Sequence, residues 1–208
     1  MPASTQLRGA RARAAILDAG RARFSTDGFR RTSIEAIALE SGVARPTVYA
    51  HFASKEEVFR TIVSELHDEY LQAMQDAVKP TAPVADRLYA ALAARFVPFV
   101  EITASSPHGE ELLDENSRVC GDITRSSRER SLRLLEELLI EADAGGEICL
   151  AAANVNATSA ATMFYDAARG AKEDAGVTVQ AYRRQLRRLV VVLARGLGAT
   201  AEERRTRG

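Results

Sequence analysis

The sequence predicts an all-α protein of about nine helices. Three observations carry that expectation. Apolar residues recur at three- and four-residue steps along most of the chain, helix-start and helix-stop signals punctuate it, and no stretch alternates cleanly between apolar and polar residues between hairpin turns. Of the 208 residues, 46% are apolar and 27% charged, a composition that can bury a real core.

Each element follows from local chemistry. Ile16, Gly20 and Phe24 fall at steps of four with Leu17 beside them, a first helix that stops near Gly28. Thr32 and Glu35 form a T-x-x-E capping box opening a short helix with Ile34, Ile37 and Ala38 inward, and Gly42 ends it. A second short helix runs through Val48 and Phe52. Ser54 and Glu57 form another box, opening a long helix with Val58, Ile62 and Leu66 on one stripe. Pro80 and Pro83 bracket a linker. Beyond it a helix over 83–104 points Leu88, Leu92, Phe96, Phe99 and Val100 inward, with Pro98 as a kink. A shorter helix holds Leu112 and Leu113, and another centres on Leu132, Leu135, Leu138 and Leu139 before Gly145-Gly146. The last two lie near 151–175 and 179–197, separated by Gly176, and the polar tail 199–208 reads as disordered. The expected division is a head (1–55), a connecting helix (55–78) and a body (79–198).

Composition narrows the function. Cys120 and Cys149 are too few for a disulfide framework or a zinc site. The longest strongly apolar run, 189–194, is too short to span a bilayer, and the arginine-bearing N-terminus has no apolar signal core, so the expectation is a cytoplasmic protein without a membrane partner. His51, His67 and His108 belong to different helices, and no metal-ligating pair, nucleophile elbow or phosphate loop occurs in the sequence. No enzyme, metal or cofactor is expected. Net charge is zero, yet residues 1–55 carry nine Lys/Arg against four Asp/Glu, a balance of +5, and the remainder balances at −5. A basic head on an acidic body suits a chain of which one end approaches phosphates.

The stretch TSIEAIALESGVARPTVYAHFASKE, from Thr32 to Glu56, carries the chemistry. Two short helices joined through Gly42 have helix-turn-helix geometry, in which the second helix enters a major groove. Arg45, Pro46, Thr47, Ala50 and His51 face outward there, with Tyr49 at the side, and Ala44 at the helix start joins the DNA-contact candidates. Arginine can take guanine at O6 and N7, and a threonine methyl or proline ring can touch thymine methyl groups. Tyr49, His51 and Lys55 suit phosphates, and amides at the helix starts near Thr32, Ser33 and Ser54 add anion sites.

The segment from about Arg13 to Val63 resembles the DNA-binding domain of the tetracycline-repressor (TetR) family. The matching residues are Ile16-Leu17, Phe24, Gly28-Phe29, Thr32-Ser33, Ile37-Ala38, Gly42-Val43, Thr47-Val48-Tyr49, His51-Phe52 and Ser54-Lys55-Glu56. Ala44 departs from a frequent serine cap, and Ala50 from a larger polar residue. The resemblance implies a nine-helix homodimer whose helices 1–3 bind operator DNA, whose helices 5–7 enclose a small-molecule effector, and whose helices 8 and 9 pair with a second subunit. Effector binding would shift the population away from the DNA-binding conformation, releasing a repressor from a near-palindromic operator.

Residues in the body give that expectation candidates. Phe96, Phe99, Glu101, His108, Asn116, Cys120, Met163, Phe164 and Tyr165 are the expected effector lining. Ala153, Ala157, Ala160 and Ala161 form a small-residue face, and Leu186, Val190, Leu193 and Leu197 a stripe, suited to a four-helix dimer interface or to internal core. The alternative function is a helical adaptor without DNA binding. The polar cluster of Arg45, Thr47, Tyr49, His51 and Lys55 weighs against it, because a protein interface would present apolar residues.

Overall fold

The computed structural model describes residues 3–79, 81–172 and 178–198. The expected tail 199–208, Pro80 and Gly176 lie outside them. Nine helices occur among the described residues: α1 (Ala3–Asp27), α2 (Ile34–Ser41), α3 (Arg45–His51), α4 (Lys55–Ala77), α5 (Val84–Ser105), α6 (Gly109–Val119), α7 (Gly121–Ala144), α8 (Ala157–Gly170) and α9 (Val179–Gly196). No strand occurs among them.

Two expected boundaries are corrected by side-chain chemistry. Ser33, not Thr32, caps α2: its Oγ accepts from the Ala36 N–H at 3.2 Å. Thr32 is turned inward, 2% exposed, and its hydroxyl donates to the Gly28 carbonyl at 2.7 Å. The helix expected from residue 151 begins only at Ala157. Two asparagines compete with the alanine run there. Asn154 adopts φ 54°, a left-handed conformation that asparagine tolerates, and the Asn156 side chain caps α8 by accepting from the Ser159 N–H at 2.8 Å.

The chain packs as two compact units, and the division does not follow chain order. The first joins the residues up to Asp68 with Ser105–Arg125, and the second joins Glu69–Ala104 with the residues from Ser126 on. In the first unit Phe24, Phe29 and Phe59 pack with ring centroids 5.1–5.5 Å apart, among Ile16, Ile37, Val48 and Val58. Cys120 is fully buried in the same cluster, with Leu112, Val119 and Ile123 packed against it. That apolar edge explains why residues 105–125 join the head rather than the body expected over 79–198.

Polar ties reinforce the first unit. The Ser106 hydroxyl donates to the Ser25 carbonyl at 2.8 Å, and Glu111 Oε1 accepts from the Arg30 N–H at 2.8 Å. Arg60 donates to both Asp122 oxygens at 2.9 and 2.7 Å and also to the Val119 carbonyl. The Arg60 hydrogen bond holds the Asp122 carboxyl down to about 2. In the second unit the core is built from Met74, Leu88, Leu92, Phe96, Leu135, Leu139, Phe164, Tyr182, Leu186 and Val190. The Tyr182 hydroxyl is buried there and donates to the Ala168 carbonyl at 3.1 Å, and burial pushes its ionisation up.

Candidate nucleic-acid interface

The interface begins with a backbone requirement. Gly42 adopts φ 65° after α2, and the Gly42 and Val43 amides donate to Leu39 and Ala38 carbonyls at 3.3 and 3.2 Å. A Cβ at Gly42 would meet nothing within 4 Å, so the glycine answers to conformation and not to crowding. Any other L-residue there would cost about 1 kcal/mol. The turn delivers the chain into α3, where Pro46 sits in the first turn and Ala44 occupies the cap position without a side-chain hydrogen bond.

Val48 is the inward anchor of α3, fully buried against the head core. With that position fixed, Arg45, Pro46, Thr47, Tyr49 and Ala50 emerge on the exposed surface, and His51 is half-buried. Arg45 and Tyr49 are one helical turn apart, and the guanidinium lies 5.5 Å from the Tyr49 ring centroid. Arg45 also pairs with Glu35 of α2 at 2.7 Å, with both side chains more than half exposed. The Tyr49 hydroxyl and then Glu35 raise the already high guanidinium pKa. Glu35 is itself lowered, chiefly by its own backbone N–H, then by Ser33 and Arg45. An exposed pair of this kind is weak in water. Arg45 is therefore a permanent cation held by a partner that an incoming base edge or phosphate can replace.

Lys55 has a structural task. Its ammonium donates to the Phe29 and Arg30 carbonyls at 2.8 and 3.4 Å and lies 4.4 Å from the Phe29 ring centroid. It thus ties the start of α4 to the turn before α2. The Ser54 hydroxyl accepts from the Glu57 N–H at 3.3 Å, as the second box predicts, and Glu57 Oε2 accepts from the Ala53 N–H at 2.6 Å. Of the nine residues singled out for DNA, Ser33, Ala44, Arg45, Pro46, Thr47 and Tyr49 are exposed, while His51 and Lys55 are half-buried. Thr32 is the exception, since its hydroxyl is spent inside the turn.

The effector candidates separate. Phe96, Phe164 and Tyr165 are buried in the second unit, where the Phe96 and Tyr165 rings meet edge to face at 5.0 Å, and Phe99 is half-buried against Tyr70 at 5.2 Å. Glu101 and Met163 are exposed. His108, Asn116 and Cys120 lie in the first unit. His108 Nδ1 sits 3.4 Å from Glu111, Asn116 Nδ2 lies 3.5 Å from the Thr124 hydroxyl, and burial pushes the Cys120 thiol up to about 11. Of these three, Cys120 belongs to the buried core of the first unit, and His108 and Asn116 are half-buried in that unit.

Sequence reasoning missed Arg95. Its side chain is 2% exposed, its guanidinium lies 5.1–6.0 Å from the Phe99, Phe96 and Tyr70 ring centroids, and Nη2 donates to Ser127 Oγ at 3.4 Å. Burial lowers its pKa, and Tyr165 opposes that shift. The available signal was an arginine inside the otherwise apolar run ALAARFVPFV.

The dimer candidates are also redistributed. Ala160, Ala161, Leu186, Val190 and Leu197 are buried within the chain's own core, and Leu193 and Ala157 are half-buried against it. Ala153 precedes α8. Of the two uses the stripe permits, internal core therefore takes most of it, because Leu186 and Val190 are buried in the core of the second unit, where α9 packs on α8. What remains exposed beside it is Met163 on α8 and Val192 on α9. These border a shallow apolar depression of about 200 Å³, lined also by Ala153, Val155, Leu193 and Gly196.

Residues 16–62 match the family model of the bacterial regulatory proteins of the tetR family. A helix-turn-helix transcriptional regulator of Bacillus subtilis is 32% identical over 79 residues, 38% of this chain and 41% of that protein. The matched stretch thus spans about two fifths of that relative's length. Two solved structures share the fold across most of both chains. One is the Stenotrophomonas maltophilia repressor SmeT in complex with triclosan (22% identity, 91% of this chain and 93% of that one, TM-score 0.67). The other is the Bacillus subtilis transcriptional regulator FadR in complex with stearoyl-CoA (18%, 88% and 98%, 0.63).

Proposed function

We propose, for a chain whose head belongs to the tetR family of bacterial regulatory proteins, that the protein is a sequence-specific transcriptional regulator, released from its operator by a small molecule. The observation that carries this reading is the geometry of α3: Val48 anchors it inward while Arg45, Thr47 and Tyr49 stand exposed on the opposite side. A seven-residue helix presented this way fits a major groove and leaves little else for those side chains to do. Binding over a promoter blocks polymerase without further chemistry, so the regulation is repression. The relatives named above are regulators, and the chemistry of α3 is that of a binding surface.

The operator is a near-palindrome read by a homodimer. Met163 and Val192 support the pairing face, since they are exposed large apolar residues at the rim of an apolar depression on α8 and α9. The second copy covers that depression. The effector sits in the second unit against Phe96, Phe99 and Tyr165, where Arg95 supplies a buried cation. An aromatic or acyl compound carrying an acidic group fits that combination. The test is selection of duplexes from a random pool by the purified protein, followed by sequencing. Enrichment of two inverted half-sites about one helical turn apart, or a multiple of it, supports the reading. Recovery of no shared sequence contradicts it.

A further inference from the structure

We propose that the first turns of α1 form a second DNA contact surface, in which Arg8 and Arg11 bind backbone phosphates beside the groove that α3 enters; this rests on the DNA-binding reading above. The family match begins at Ile16, so nothing in it assigns a role to the preceding residues. Yet α1 runs back to Ala3, 25 residues in all, well beyond what the head core needs.

Two contacts fix where that extension lies. A Cβ at Gly9 would stand 3.9 Å from His51 Cε1, so α1 passes against the last residue of α3. Four residues on, Arg13 lies 5.7 Å from the Phe52 ring centroid and pairs with Glu65 at 3.1 Å. Gly9 and Arg13 therefore mark the side of α1 turned toward the end of α3 and toward α4, with Arg13 itself exposed. Arg8 and Arg11 are exposed, three residues apart on one side of the helix, and within about 3 Å along its axis of the residue that touches His51.

The charge pattern points to an anion. No acidic residue occurs before Asp18, and the first turn of α1 has none. A solvated helix normally intersperses both signs. Here arginines gather beside the end of the recognition helix, where the duplex backbone would run. Guanidinium groups take phosphate oxygens in two parallel hydrogen bonds, which positions a protein on DNA without reading sequence.

The test compares Arg8→Ala/Arg11→Ala with the unmodified protein by fluorescence anisotropy. The probes are a mixed-sequence duplex and the duplex enriched by selection, titrated between about 50 and 200 mM salt. Alanine is the best helix former, so the substitution keeps α1 intact, and circular dichroism checks it. Each lost phosphate contact flattens the slope of log affinity against log salt by about 0.9, so the variant's slope falls by roughly 2 to 4 per dimer. Binding weakens on both duplexes while the preference between them stays the same. Arg8→Lys/Arg11→Lys keeps the slope. An unchanged slope and affinity in the alanine variant, with Arg45→Ala still impairing binding, overturns the inference alone. If the unmodified protein binds neither duplex at low salt, the DNA-binding reading fails and this surface falls with it.

Discussion

Thr32→Val separates a structural hydroxyl from a DNA-contacting one. The substitution keeps the β-branched shape and removes a single donor at a position 2% exposed. The hydrogen bond it deletes is short, 2.7 Å from Oγ1 to the Gly28 carbonyl. That carbonyl also accepts from the Thr32 N–H at 3.3 Å, so it is not left without a donor. The loss is then one buried hydrogen bond and no orphaned acceptor, about 1 kcal/mol. For a chain of this length that corresponds to a fall of roughly 2–4 °C in Tm. DNA affinity, measured by anisotropy well below the melting range, is unchanged. An unchanged Tm with strongly weakened DNA binding would refute the reasoning, since it would place the hydroxyl on a phosphate and not on Gly28.

Other consequences follow from the same geometry. Phe59→Ala removes the ring that meets Phe24 and Phe29 edge-on and is expected to destabilise the first unit by about 3–5 kcal/mol, read by urea denaturation; a loss below about 1 kcal/mol contradicts the packing account. Gly28→Ala forces a Cβ into a φ of 80° and toward the Glu111 carboxylate and His108, so stability falls by about 1 kcal/mol or more, and hydrogen exchange at residues 106–122 speeds up. A stable variant with unchanged exchange there would show that the turn and that segment are not coupled. Met163→Glu with Val192→Glu places charges at the rim of the apolar depression and is expected to shift sedimentation from dimer to monomer with the melt intact. A dimer that persists at the same concentrations puts the pairing face elsewhere.

Much of this was legible in the sequence because local chemistry decided it. Gly42, the Ser54–Glu57 pair and the inward run of Leu88, Leu92 and Phe96 were settled within a few residues of themselves. The misreadings arose where neighbours compete or distant residues meet. Thr32 and Ser33 are both competent caps, and only the burial of Thr32 beneath the Gly28 turn assigns the role to Ser33. Leu186 and Val190 make a stripe that serves equally for a partner subunit or for the chain's own α8, and periodicity does not distinguish them. Cys120 and His108 looked like body residues because they follow the linker, yet the apolar face of 112–123 packs onto the head through contacts some eighty residues apart. Arg95 escaped notice because a lone charge in an apolar stripe carries no spacing signal.

The central claim is that Arg45 and Tyr49 of α3 contact operator DNA, Arg45 at a base edge and Tyr49 at the backbone. The measurement that tests it most directly is the affinity of Arg45→Ala/Tyr49→Ala for the selected duplex, beside the unmodified protein, across a salt series. Losing one good base contact weakens binding about 5- to 150-fold per half-site. The account predicts at least that loss on the selected duplex, a smaller loss on mixed-sequence DNA, and an unchanged dimer and Tm. Equal affinity of the variant and the unmodified protein for the selected duplex would contradict it.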